Sequence, residues 1–432
     1  NWDDHDRSHR YMARDIGWNY LMSTLPNSII LNYGDNDTFP LWNNQEVYGV
    51  RPDVRIMNTS YLGGEWYIDE MKTKANDAPG VPFSLPKSKY TFVNDWVPVY
   101  DRVNRSVDIK EVMDFIRTDH PDSKIKMADG SMVDKRIALP VNKENAIASG
   151  IVAEKDRDKM VDTVYINLRK NSIDKNQLMI LDMLANFDWK RPIYMTQVYI
   201  LQDFGLMDYL QFDGYAYRFV PILTPVQNPW EIGRVDADYA APLLRDTFRY
   251  GNLSDPRVYA DYFIQYNLSA SHARDSFARV AKELLRQDRA QEAVELLDLG
   301  LERMPTWQIR FTDTNTYPFL EAYYAASAMG VEEAAAKGDA LLREYAQTLI
   351  EYIEYYLRFE GTQGDMVSPI LDEKLDQLGD IYYLATYAGR KDVVAELNTY
   401  YRSLGVSEDN LVDVGDKPRQ ADTTLIPKGT NE

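Results

Sequence analysis

The strongest constraint on the fold is a short apolar run that ends in a polar turn and leads directly into a helix. Residues 28–31 have the pattern of a buried strand, and the polar segment 32–37 (NYGDND) follows them. Pro40 then opens a stretch of helix-forming residues that runs to about Val50. This order is typical of α/β sheets, in which ligands bind at the carboxyl ends of the strands. The sequence therefore predicts a site at this turn.

The composition excludes several classes of function. The 432 residues exceed the size at which one core keeps growing, so two or three domains are expected. The net charge of −19 argues against a nucleic-acid partner, because such partners are bound through clustered Lys and Arg. The absence of Cys excludes disulfides, thiol nucleophiles and Cys-based zinc sites. Four scattered His disfavour a multi-His metal site.

Strand and helix patterns alternate through the first half of the chain. Helices are predicted over residues 8–25, 66–75, 108–117 and 174–185, and strands over 53–58, 124–127, 136–139, 162–168, 192–196 and 215–222, with a hairpin turn at Asp129-Gly130. The segment from Asn76 to Val107 is rich in Pro, Asn and aromatic residues, which predicts a long irregular insertion. We therefore predict an α/β domain over residues 1–228, with a mostly parallel sheet and flanking helices, and a linker over 229–254.

From residue 255 onward the apolar period is helical. With Pro305 as the last position of a 34-residue unit, large and small residues fall where a tetratricopeptide repeat places them: Phe277, Val280, Ala281, Leu284, Ala293, Leu297 and Gly300. Looser helix pairs over 317–357 and 371–404 give three units, about the minimum for a stable stack. A generic helical bundle is the alternative. The prediction is an all-α tetratricopeptide-like helical repeat domain over 255–415 and a flexible tail over 416–432.

Asp35, Asn36, Asp37 and Thr38 are the candidate ligand-binding residues of the polar turn. Asp35-Asn36-Asp37 has the D-x-D form with which many sugar-transferring enzymes hold a divalent cation and a phosphate, and two oxygen ligands suit Mg²⁺, Mn²⁺ or Ca²⁺. The alternative is structural, because Asp37 or Thr38 would serve equally well as the cap of the helix that Pro40 begins. A divalent cation is thus one option, and the cofactor is left unassigned.

The N-terminal residues Asp3, Asp4, His5 and Arg7 are candidates for extending that site. His5 would act as a nitrogen ligand or a proton carrier. The alternative is a solvated acidic strip that pairs with the basic side chains at positions 7, 10 and 14, which recur at helical spacing. A further option is that these arginines hold an anionic group such as a lipid-linked phosphate.

Several motifs along the chain carry a resemblance to one family: WDDHDRS at 2–8, GDNDTFPLW at 34–42, QEV at 45–47, GVR at 49–51, WYI at 66–68, WKRPIY at 189–194 and GYAYRFVP at 214–221. In combination they resemble large bacterial polytopic membrane proteins of unknown function that are grouped with protein O-mannosyltransferase-like glycosyltransferases. The resemblance spans nearly the whole chain. It implies a protein with two halves, in which a membrane half with a lipid-linked-sugar glycosyltransferase fold precedes a soluble half. This chain looks like the soluble half.

The resemblance places the catalytic carboxylate of such proteins in the membrane half, so no residue here inherits a catalytic role. It implies a non-catalytic, extracytoplasmic binding region on the periplasmic side of the inner membrane, anchored through an N-terminal segment outside this sequence. The expected partners are a protein or peptide on the helical repeats and a lipid-linked sugar or glycan at the α/β crevice. The rival interpretation is a stand-alone metal-dependent enzyme that acts at Asp35, Asp37 and His5.

Overall fold

The computed structural model of the protein describes residues 5–101, 104–118, 132–227, 231–268 and 270–405. The chain divides into two compact units, one covering residues 10–251 and the other covering the described residues 5–9 and 252–405. The first unit contains strands and helices and the second is helical, which confirms the predicted order of an α/β region followed by an all-α region. Within the described residues, no helix is long and apolar enough to cross a membrane.

The first unit contains seven helices and twelve strands in its described residues. The helices are α1 Met12–Met22, α2 Thr38–Tyr48, α3 Glu65–Met71, α4 Ile109–Arg117, α5 Lys143–Ala148, α6 Lys175–Asn186 and α7 Ala237–Pro242. The strands are β1 Ile29–Asn32, β2 Arg55–Asn58, β3 Trp96–Tyr100, β4 Val107–Asp108, β5 Val133–Asp134, β6 Arg136–Pro140, β7 Thr163–Asn167, β8 Ser172–Asp174, β9 Ile193–Met195, β10 Leu210–Phe212, β11 Tyr217–Phe219 and β12 Arg234–Val235.

The central sheet has the strand order β12-β10-β11-β9-β1-β2. Strand β1 lies between β2 and β9 and pairs with both in parallel, whereas β9, β11 and β10 pair antiparallel. The sheet is thus mixed, because β10 and β11 are joined by a tight hairpin in which Gly214 has a φ of 88°. Two three-stranded sheets, β5-β3-β8 and β4-β6-β7, complete the unit.

The insertion predicted between residues 76 and 107 is irregular only in its first part. A single 3₁₀ turn, Lys87–Lys89, interrupts residues 76–95, and strand β3 follows. The buried carboxylate of Asp182 on α6 anchors this segment, because it accepts hydrogen bonds from the Ser84 N–H (2.6 Å), the Ser84 hydroxyl (2.6 Å) and the Leu85 N–H (3.0 Å). A loop held by a buried acceptor in this way needs no regular structure of its own.

Other predicted elements of the first unit differ from the structure mainly at their ends. The first helix begins at Met12, later than the predicted Ser8 cap. The predicted strand 124–127 and the turn at Asp129-Gly130 lie outside the described residues. In the predicted linker, the described residues 231–251 belong to the first unit and carry β12 and α7.

The second unit consists of consecutive helices. Their bounds are α8 Ala270–Arg286, α9 Ala290–Arg303, α10 Asp313–Ala328, α11 Ala334–Tyr356, α12 Gly361–Tyr387 and α13 Lys391–Ser403. Helices α8 and α9 lie close together at Gly300, where an added Cβ would be 2.8 Å from the Cγ atom of Phe277. This is the contact between a large and a small residue that the repeat pattern predicts. The two looser pairs correspond to α10 with α11 and α12 with α13.

Candidate functional site

Three parallel strands of the central sheet end in polar side chains at the same edge. Asn32 is the last residue of β1, Asn58 is the last residue of β2, and Thr196 follows β9. From β1 the chain passes to β2 on one side, and β9 later adds on the other side of β1. This reversal makes the gap between β1 and β9 a topological switch point, the place where open α/β sheets bind ligands.

Asp37 bridges this switch point. It is the residue immediately before α2, but its carboxylate makes no capping hydrogen bond to that helix. Instead the carboxylate accepts a hydrogen bond from the Thr196 hydroxyl, on the far side of the gap, and another from the Tyr33 N–H at 3.2 Å. Asp37 therefore occupies the N-cap position of α2 without capping the helix through its side chain. Asp37 is 6% exposed, so this bridge is shielded from solvent.

A second set of hydrogen bonds centres on Thr38. Its hydroxyl donates to the carbonyl oxygen of Gly34 and accepts from the side-chain amides of Asn32 and Asn58, the latter at 2.9 Å. Thr38 therefore does not cap α2 through its side chain either. Thr59 adds a hydrogen bond of 2.9 Å from its hydroxyl to the Asn32 carbonyl. These bonds fix the two strand ends against each other.

Asn32 retains an unused acceptor at the centre of this arrangement. Its Oδ1 atom is buried and accepts no hydrogen bond from any described residue, although Asn32 is fully shielded by the protein. A buried carbonyl without a donor costs free energy, and native structures rarely leave one unsatisfied. The crevice thus holds a buried acceptor that no described residue satisfies.

The other sequence candidates are exposed residues of the turn, residues of the second unit, or residues outside the described ranges. Asp35 and Asn36 are exposed, and their side chains make no hydrogen bond or ion pair with any described residue. His5 and Arg7 belong to the second unit, and residues 3 and 4 are not described. Among the described residues, no group of three or more His, Asp and Glu side chains could hold a metal ion.

The carboxylate of Asp37 is the charged group of the crevice, and no described Lys or Arg side chain hydrogen-bonds to it. Burial raises the pKa of Asp37, and the hydrogen bonds from Thr196 and the Tyr33 N–H offset only part of that increase. None of the hydrogen bonds to Asp37, Asn32, Thr38 or Asn58 from the described residues comes from Lys or Arg. A buried, unpaired carboxylate with a raised pKa is a common property of functional sites.

Replacing Asp37 with asparagine is expected to change how stability depends on pH. Because the pKa of Asp37 is higher in the folded state, the folded protein binds more protons than the unfolded chain above the unfolded pKa of about 4. The contribution of Asp37 to stability should therefore fall as the pH rises from that value, and Asp37→Asn should remove that contribution from the pH profile. Thermal unfolding between pH 3.5 and 7, at about half-unit steps, measures the difference.

A second variant checks the origin of this effect. Thr196→Val deletes a hydroxyl that lowers the pKa of Asp37, so the decline in stability should extend to higher pH. Identical pH profiles for the wild type and Asp37→Asn would contradict the assignment.

Asn32, Asn58 and Thr196 were not predicted as site residues from the sequence. A signal was present, since each is the polar residue that ends or follows a predicted strand. Their convergence depends on strand order, which the local pattern does not specify. Rings also meet across the switch point, where Tyr33 and the exposed Tyr199 pack edge to face with centroids 5.7 Å apart.

Comparison with known proteins gives one match. The family described as TMEM260-associated domain 2 matches residues 13–239, which is more than half of the chain and includes the whole crevice. No curated protein and no solved structure matches the chain. The matched residues lie entirely within the first compact unit. The chain therefore belongs to the TMEM260-associated domain 2 family.

Proposed function

We propose that this chain is a non-catalytic, extracytoplasmic binding region of a membrane glycosyltransferase-like protein of the protein O-mannosyltransferase-like group. The family match and the motifs at 34–42 and 189–194 support this proposal. The region would lie on the periplasmic side of the inner membrane, joined to a membrane-spanning half. Chemistry would take place in that half, and this region would hold a substrate or a partner.

The first unit is proposed to bind a sugar or sugar-phosphate ligand at the crevice between β1 and β9. The observation that carries this proposal is the buried Asp37–Thr196 bridge beside the unpartnered Oδ1 atom of Asn32. A carboxylate and an amide oxygen are acceptors for ligand hydroxyls. Such groups, placed at the carboxyl ends of parallel strands, are suited to hydrogen-bonding a polyhydroxylated ligand.

Binding measurements on the full chain test this function. Saturation-transfer NMR and calorimetry would use two probes, a hexose 1-phosphate and an uncharged hexose oligosaccharide. We expect at least one probe to bind, and Asp37→Asn or Asn32→Leu to abolish its binding. Asp162→Asn, an exposed carboxylate before β7, is the matched control and should bind as the wild type does. If neither probe binds in a manner that depends on Asp37, the proposal is wrong.

A metal titration separates this function from the rival enzyme. The exposed side chain of Asp35 makes no hydrogen bond or ion pair with the described residues and is available to a cation. Calorimetry with Mn²⁺ and Ca²⁺ on the wild type and Asp35→Ala measures whether a cation binds and whether its binding depends on Asp35. Tight, Asp35-dependent binding together with sugar-donor hydrolysis by the purified chain would replace the binding function with a metal-dependent enzyme.

The second unit is proposed to hold a protein or peptide partner. Tyr323 and Tyr324 are buried, and their hydroxyls donate to Asp298 and Asp339, so they serve the helix packing. Tyr355 is half-exposed and packs edge to face against Phe359, 5.3 Å between centroids. Exposed aromatic side chains of this kind are enriched at interfaces. A photo-crosslinker at position 355 of the full-length protein should trap a partner, and the same crosslinker at a buried position should not.

A further inference from the structure

A strip of aromatic rings extends from the crevice along the same edge of the sheet. It is formed by Phe39, Trp42, Tyr61 and Trp66, and we call it the aromatic strip. Phe39 directly follows Thr38 in the crevice, and Tyr61 lies in the 3₁₀ turn Thr59–Gly63 that begins at the end of β2. The ring centroids are 5.9, 6.4 and 6.3 Å apart in that order.

The strip is accessible and contiguous. Phe39 is 51% exposed and Trp66 is 61% exposed, while Trp42 and Tyr61 between them are partly buried. Single exposed aromatic side chains are ordinary, but rings in contact with one another form a patch that usually marks a binding surface. The strip therefore suits an extended ligand with several flat, weakly polar faces.

Charge distinguishes between the ligand classes that the crevice could accept. Asp37 and the exposed Asp35 are both acidic, and no Lys or Arg among the described residues hydrogen-bonds to either side chain. A phosphate would bring further negative charge beside these carboxylates and would be repelled. The hydroxyls of an uncharged glycan can donate hydrogen bonds to carboxylates instead of being repelled by them. The ring faces of its sugars can also stack on aromatic rings.

We propose that the aromatic strip binds an uncharged glycan chain beside the crevice, with sugar rings stacked on Phe39, Trp42, Tyr61 and Trp66. This inference rests on the proposed sugar-binding function and specifies its ligand class. It predicts that affinity increases with the number of hexose units until the strip is covered.

Two adjacent glycines provide a test that removes no aromatic ring. A Cβ atom added at Gly64 would lie 2.8 Å from the indole Nε1 atom of Trp66, so Gly64→Ala displaces that ring. A Cβ atom added at Gly63 meets nothing within 4 Å, which makes Gly63→Ala the matched control. Both residues have φ angles that alanine accepts, so both variants are expected to fold.

The experiment is calorimetry and tryptophan fluorescence on the full chain with uncharged hexose oligosaccharides of one to six units. We expect Trp66→Ala and Gly64→Ala to weaken binding of the longer oligosaccharides about tenfold. Gly63→Ala, and Trp96→Ala at an equally exposed tryptophan on β3, should leave the affinity unchanged.

The outcomes distinguish this inference from the function on which it rests. Length-dependent binding that is lost in Trp66→Ala and Gly64→Ala supports the inference. If a hexose 1-phosphate binds through Asp37 and no uncharged oligosaccharide does, the ligand class is wrong, but the sugar-binding function holds. If neither ligand binds, both proposals fail. Binding of uncharged oligosaccharides that is equal in wild type and Trp66→Ala would overturn the role of the strip.

Discussion

Replacing Arg218 with methionine is expected to lower the free energy of unfolding of the first unit by about 3 to 5 kcal/mol. Arg218 forms an ion pair with Asp213 at 2.9 Å, and both side chains are almost completely buried. The carboxylate of Asp213 also accepts hydrogen bonds from the side-chain amide of Gln211 at 2.8 Å and the hydroxyl of Tyr194 at 3.0 Å. Methionine keeps the apolar stem but leaves this carboxylate without its countercharge.

The consequence extends beyond one ion pair, because Arg218 links several parts of the first unit. Its guanidinium donates to the Gly150 carbonyl at 2.8 Å, and it lies over the ring of Tyr239 on α7 at 4.9 Å. Burial raises the pKa of Asp213, so without Arg218 the carboxyl group should take up a proton at higher pH than in the wild type. The destabilisation should accordingly be smaller at acidic pH than at neutral pH.

Urea unfolding followed by tryptophan fluorescence measures the effect of Arg218→Met. This signal reports mainly on the first unit, which contains five of the six described tryptophans. Lys190→Met is the control, because Lys190 forms a 2.9 Å ion pair with Asp188 that is largely exposed. Its loss should cost less than about 1 kcal/mol. Equal effects of the two variants would show that burial does not set the strength of the Asp213–Arg218 pair.

Most individual elements of the first unit could be predicted from the sequence, because their signals are local. The apolar run before the polar turn predicted the bounds of β1 to within one residue. A short apolar run that is followed by turn residues is typical of a buried strand. Helix α6 was predicted over 174–185 and runs from Lys175 to Asn186, with Asp174 and Gln177 forming a capping box at its start. Periodicity and capping residues act over a few positions, so the sequence displays them directly.

The arrangement of the strands was harder to predict. The pattern at 215–222 predicted one strand, whereas the structure has Tyr217–Phe219 paired with Leu210–Phe212 in a hairpin. Two short strands separated by a tight turn resemble a single strand with a loop when only local hydrophobicity is considered. The mixed direction of the sheet follows from this hairpin. Whether two strands pair in parallel or antiparallel depends on the segment that connects them. Local hydrophobicity does not show how that segment runs.

The role of Asp37 could not be predicted either, because it also depends on the strand order. An Asp before a helix has the local pattern of a cap, and the sequence left that interpretation open beside ion binding. The hydrogen-bond partner that draws the carboxylate away is Thr196, 159 positions along the chain. The contact exists only because β9 adds beside β1, which places the two residues at one edge. The turn therefore located the site correctly, while the residues that complete it became evident only from the strand order.

Gly17→Ala is expected to destabilise the first unit by about 3 kcal/mol and to disturb the crevice from a distance. Helix α1 crosses α2 at Gly17, where an added Cβ atom would lie 2.2 Å from the carbonyl oxygen of Pro40 and 2.6 Å from Nδ2 of Asn44. The first of these neighbours is backbone and cannot rotate away. The same Asn44 amide donates to the Arg14 carbonyl at 2.8 Å, so the two helices are also joined by a hydrogen bond.

The two helices can relieve this overlap only by moving apart, and α2 begins at the residue after Asp37. A shift of α2 should therefore weaken the bridge from Asp37 to Thr196, so Gly17→Ala should lose both stability and the pH dependence assigned to Asp37. Urea unfolding and the thermal pH series measure the two effects on one variant, with Gly63→Ala as a control whose Cβ meets nothing within 4 Å. If Gly17→Ala is destabilised but keeps the pH dependence, α2 does not transmit the strain to Asp37, and the crevice depends on the sheet alone.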